Sequence, residues 1–143
     1  MHMKQGQIPG FFEKRKVLFS TTMPAEEIEA YVQVFLDEGR TNEALDFLEK
    51  TKNKEMIALA AKQAWQAGDV SVWIRANRLM GEKPTPEMWE GIADQAMQQG
   101  KEQFAVWAFD QAGKGERADA IRGGWQRKKF EKEREREKEK EKP

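Results

Sequence analysis

From Pro24 onward, apolar residues return every three to four positions. Ile28, Tyr31, Val32 and Phe35 form one such stripe, Ile57, Ala60, Ala61 and Ala64 a second, and Trp89, Ile92, Ala93 and Ala96 a third. This interval is the pitch of an α-helix with one buried face, and the strict alternation of a half-buried strand is nearly absent. Helix-start signals stand at Pro24 to Glu27, at Asn53 with Glu55, at Asp69, and at Thr85-Pro86-Glu87. The spacing predicts helices over 24–38, 41–52, 54–67, 70–80, 86–99, 101–112 and from 116 to about 130. Their short connections force successive helices to run antiparallel as hairpins.

Three glycines, Gly39, Gly68 and Gly100, end the first helix of each predicted hairpin, and aligning the chain on them exposes an internal repeat. All four positions in each of the stripes above share one register before the glycine. Beyond it, Ala44, Trp73 and Ala105 align, then Leu48, Asn77 and Phe109, then Thr51, Met80 and Ala112. Small residues at two of these positions let crossing helices approach, and a larger side chain fills the groove beside them. In the third copy, Ala105 and Ala112 make the room and Phe109 takes it. Each glycine supplies the left-handed backbone that closes one helix before the next begins.

This register resembles the tetratricopeptide-repeat family, most clearly in "PEMWEGIADQAMQQGKEQFAVWAFDQA", and the resemblance covers residues 24–112 as three units. It implies an all-α fold: a right-handed α-solenoid of about three antiparallel hairpins plus a C-terminal capping helix. It also implies a protein-binding role without catalysis. The glycines recur at intervals of 29 and 32 residues, shorter than the family's period of about 34, so tighter turns between units are expected. Residues 116–130 suit the cap, with Ala118, Ile121 and Trp125 inward and Arg117, Asp119, Arg122 and Arg127 outward. The organisation expected is an N-terminal extension over 1–22, a repeat domain over 23–126, and a charged tail over 127–143. That tail alternates sign at each residue from Glu131 to Lys142, has no apolar face, and is expected to be a frayed extended helix or disordered.

In the extension, "FFEKRKVLF" shows no clear period. Its Phe11, Phe12, Val17, Leu18 and Phe19 are expected to cover the first hairpin; the alternative is a detachable anchor or partner-binding segment.

Composition narrows the chemistry. The 25 basic and 25 acidic residues balance, so only a local patch could recruit a polyanion or a membrane surface. Cysteine is absent, which excludes disulfides and thiolate metal sites. The single histidine, His2, lies in a Met-His-Met start that reads as a cloning remnant ahead of a native Met3. Ser20 and Ser71 have no histidine base to activate them. No catalytic residue, metal ligand or cofactor is therefore assigned. With no apolar run of membrane-spanning length and no signal-peptide core, a cytoplasmic location is expected and no membrane partner.

The first helices of such repeats line the binding surface. Their outward positions nominate Glu29, Gln33 and Asp37, then Lys62, Trp65 and Gln66, then Glu90, Asp94, Met97 and Gln98. The excess of acids points to a basic peptide or helix as partner, with Trp65 as anchor. The Lys, Arg and Asn clamp that some family members use for a C-terminal carboxylate is missing. Trp89 and Trp107 are expected in the core. Two basic clusters, Arg75 with Arg78 and Arg127 to Lys132 beside Trp125 and Phe130, make nucleic-acid binding the secondary expectation.

Overall fold

A computed structural model of the chain describes residues 8–20 and 22–142. The readings of Met1 to Met3 lie outside the described residues. The described residues are all-α, in the order α1 (Phe11–Phe19), α2 (Ala25–Asp37), α3 (Thr41–Thr51), α4 (Lys54–Ala67), α5 (Val70–Met80), α6 (Pro86–Gln98), α7 (Glu102–Gln111) and α8 (Gly115–Lys140). Helices α2 to α7 match the hydrophobic periodicity to within a residue at each end. Two compact units divide between Pro84 and Thr85, inside the span read from the sequence as one repeat domain.

In the first unit, α3 is the central element and touches α1, α2, α4 and α5. The α2–α3 hairpin closes on aromatic rings: Phe47 stacks on Phe35 at 5.3 Å and on Tyr31 at 5.9 Å. Between α4 and α5 the fill changes to Ala60, Ala61, Ala64 and Ala76 against Ile57 and Trp73, all buried. Ionic contacts then bind the outer helices to α3. Asp46 accepts from Lys14 of α1 at 3.0 Å and from Arg75 of α5 at 2.8 Å, and Arg75 also bonds Glu49 and Asn42. Arg75, one of the cations of the first basic cluster, is thereby committed within the fold.

The second unit packs α6 on α7 and α7 on α8. Its seam is built of Ala93, Ala96, Ala105 and Ala108, each fully enclosed, with Ile92 and Phe109 beside them. Of the twelve stripe positions in the three first helices, all except Trp89 are buried. Trp89 is half-buried and leans at 6.4 Å on Trp107, which is 41% exposed. The expectation that both rings enter the core is thus corrected: alanines bring the backbones too close to leave an indole-sized space between them.

Each first helix ends in the same hydrogen-bonded reversal. At Gly100, φ is +71°, and the N–H groups of Gly100 and Lys101 bond the carbonyls of Met97 and Ala96 at 3.0 and 2.8 Å. Arg40 to Phe35 and Asp69 to Ala64 repeat the Lys101-to-Ala96 bond at 2.8 and 2.9 Å. Helix α8 continues through Gly123 and Gly124 to Lys140, and its residues from Gln126 onward are exposed. The good helix propensity of Glu, Lys and Arg is the favourable term for this outer part, since its residues are all exposed.

Helix α1 has no counterpart in the periodicity, and its aromatics do not cover the first hairpin. Val17 alone is buried, while Phe11, Phe12 and Phe19 are 71%, 79% and 75% exposed. Polar contacts hold the helix instead. Lys50 donates to the carbonyls of Val17 and Ser20 at its C-terminal end, and the Tyr31 hydroxyl donates to Glu13 at 3.2 Å. Burial first, and then the Glu13 carboxylate, push the Tyr31 phenol above its ordinary 10.0, which keeps it a neutral donor.

Two substitutions check this packing by urea unfolding. Phe109→Ala should cost about 3–5 kcal/mol and Trp107→Ala less than about 1 kcal/mol; equal losses would contradict the assignment of core and edge. Gly100→Ala should cost about 1–2 kcal/mol through backbone conformation alone, because an added Cβ there meets nothing within 4 Å.

Candidate partner-binding surfaces

In the first unit, a concavity of about 230 Å³ is lined by Gln33, Leu36 and Asp37 of α2 and by Leu59, Lys62, Gln63 and Gln66 of α4. Gln63 builds its base. Its amide nitrogen donates to the Leu36 carbonyl at 2.7 Å and its oxygen accepts from the Thr41 hydroxyl, so one side chain satisfies the end of α2 and the start of α3. Above it, Gln33 donates to Asp37 at 2.7 Å. Leu59, which the sequence reading did not nominate, is 54% exposed at this wall, and Lys62 and Gln66 are exposed beside it.

Four nominated residues, Gln33, Asp37, Lys62 and Gln66, therefore come together. Two others from this unit have different surroundings. Glu29 accepts from the Asn53 side chain at 3.0 Å, while the Asn53 oxygen caps α4 by accepting from the Met56 N–H at 3.2 Å. Trp65 is half-buried and sits edge-to-face on Trp73, with centroids 5.6 Å apart. The wall thus carries one carboxylate and one ammonium with amides between them.

In the second unit, the nominated acids are occupied by a cation of their own chain. Arg117 of α8 donates to Glu90 at 3.3 Å and to Asp94 at 2.8 Å, and its guanidinium lies 4.1 Å from the centre of the Phe109 ring. One planar group therefore joins α8 to both α6 and α7, using charge on one side and an aromatic face on the other. Arg122 adds a bond to Asp110 at the end of α7.

Met97 faces a cavity of about 280 Å³ shared with Glu102, Ile121, Gly124, Trp125 and Lys128. Gln98 is exposed nearby on α6. A larger concavity of about 530 Å³ is lined by Gly100, Lys101, Glu102, Gln103, Phe104 and Trp125. The Trp125 indole N–H donates to Glu102, which orients the ring as a wall for both spaces. Sequence reasoning placed Trp125 in the cap stripe and overlooked this use. No local signal marks it, because the ring is oriented by Glu102, 23 residues away in the chain.

Among the described residues, no group of three or more His, Cys, Asp or Glu side chains is arranged to hold a metal ion. No helix among them is long and apolar enough to cross a membrane. No protein-family model, no curated protein and no solved structure matches the chain significantly.

Replacing Arg117 by Ala should lower stability by about 0.5–1 kcal/mol, since its partners are half-exposed and screened by water. Arg117→Lys should recover only part of that loss, because an ammonium cannot span both acids while lying flat on Phe109. Identical urea midpoints for all three proteins would show that the clamp contributes nothing.

Proposed function

We propose that this chain is a non-enzymatic protein-interaction module, acting as a cytoplasmic scaffold or adaptor subunit. In this reading the hairpins α2–α3, α4–α5 and α6–α7 are tetratricopeptide-like repeats of a right-handed solenoid, and α8 is the cap. Support for the repeat comes from the shared register of buried positions and from the common reversal after each first helix. The partner is a peptide or helix that carries a basic residue.

The observation that carries the reading is the make-up of the α2–α4 concavity. Amides of Gln33 and Gln66 can both donate and accept, so they suit a peptide backbone whatever its sequence. Leu59 offers an apolar contact, and Asp37 favours a cation. Arg117 on Glu90 and Asp94 supports the same chemistry, since the acid pair on a first helix there receives a basic side chain from a neighbouring helix.

A second reading, nucleic-acid binding through α8, draws on Phe130, which is 68% exposed among Arg127, Lys128, Lys129 and Lys132.

Fluorescence polarisation with labelled Lys/Arg-rich and Glu/Asp-rich peptides, each containing leucine, tests the proposal. The basic peptides should bind more tightly, and Asp37→Lys should weaken them about tenfold, as should raising salt from about 50 to about 500 mM. Equal binding of both peptide classes, or indifference to Asp37→Lys, would refute the groove. A single-stranded RNA that binds while peptides do not would favour the α8 reading instead.

A further inference from the structure

Helix α1 turns its aromatic residues outward. At about 100° per residue, Phe11, Arg15 and Phe19 fall on one ridge and Phe12 and Lys16 on the next, so all five share a face. All five are exposed. The opposite face carries Glu13, Lys14 and Val17, which engage Tyr31, the acids of α3, and the buried interior.

The two faces differ in how their charge is balanced. Inward-facing Lys14 is paired with Glu43 at 3.4 Å and with Asp46 at 3.0 Å. Among the described residues, no carboxylate lies within ion-pair distance of Arg15 or Lys16; Arg15 instead stands 5.7 Å from the Phe19 ring. The result is a local patch of three aromatic rings and two uncompensated cations on a chain with no net charge.

We propose that this face docks on an anionic lipid bilayer, with Phe11, Phe12 and Phe19 entering the headgroup boundary and Arg15 and Lys16 meeting anionic lipid headgroups. A protein partner would have to bury Arg15 among the three rings, with Lys16 at the rim of the same face, and would have to supply a carboxylate for each charge that it desolvates. A bilayer surface imposes no such cost, because the cations extend to hydrated headgroups while the rings sit deeper. The expectation of no membrane partner rested on overall charge balance and on the absence of a spanning segment, and a peripheral contact requires neither. One short helix gives weak, reversible binding that depends on anionic lipid and on low salt.

Co-sedimentation of the full chain with phosphatidylcholine vesicles, with and without about 30% phosphatidylserine, tests the proposal. Binding should require phosphatidylserine and fall about tenfold or more as salt rises to about 500 mM. Phe11→Ser/Phe12→Ser/Phe19→Ser and Arg15→Glu/Lys16→Glu should each reduce it at least about tenfold, while Lys128→Glu/Lys129→Glu on α8 should leave it unchanged. Circular dichroism should show both α1 variants folded; if the serine variant is not, the charge variant decides the outcome. No binding to phosphatidylserine vesicles would overturn the proposal. So would binding that survives the α1 changes but is lost with the α8 change, or self-association in the ultracentrifuge that the serine variant abolishes without any vesicle binding.

Discussion

Two backbones brought together through alanine fix their separation more tightly than any larger residue would, because the methyl group has no rotamer with which to adjust. In the second unit, Ala93 and Ala96 of α6 face the seam with Ala105 and Ala108 of α7, all without solvent exposure. Overfilling such a contact by even a few methylene groups costs about 1–3 kcal/mol. The placement of the remaining large groups follows. Phe109 fits beside the seam, whereas Trp89 and Trp107 stay toward its edge and lean on one another. In the first unit the α2–α3 hairpin reaches a closed core by the opposite route, with Tyr31, Phe35 and Phe47 stacked in place of alanines. One register of positions thus accommodates two volumes of fill.

Charge adds position where apolar area is scarce. Helix α1 brings only Val17 into the interior, and its place is specified by Lys14 on the acids of α3, by Glu13 on Tyr31 of α2, and by the Lys50 bonds to its C-terminal carbonyls. Arg75 does the same for α5, and Arg117 for α8. Exposed pairs contribute little stability individually. Their value lies in geometry, since a guanidinium bonded at two or more points admits few orientations of the helices that it joins.

The hairpins were legible in the sequence because the 3.6-residue period and the glycine reversals are local signals, each readable within about fifteen residues. Helix α1 was not, since its three aromatic residues point away from the hairpin that they were expected to cover, and Val17 alone is buried. The indole pair was misplaced for a related reason: periodicity reports which side of a helix faces inward, but not how much space the opposing backbone leaves. Among the nominated site residues, Gln33, Asp37, Lys62 and Gln66 do line one concavity, while Leu59 beside them escaped notice because an isolated exposed leucine has no sequence signature. The engagement of Glu90 and Asp94 by Arg117 depends on a contact 23 or more residues away, beyond any local pattern.

Past Trp125, α8 continues as a helix whose every residue is in water. With none of the described residues packed against it, its length is decoupled from the stability of the body it grows from. Insertions or deletions there act as changes to a ruler: each residue moves the tip by about 1.5 Å and swings it by about 100°, so reach and azimuth shift together. Five whole turns restore the original bearing after about eighteen residues. A population of chains differing only in this stretch would keep an unaltered body and present its terminus at a different distance and angle in each.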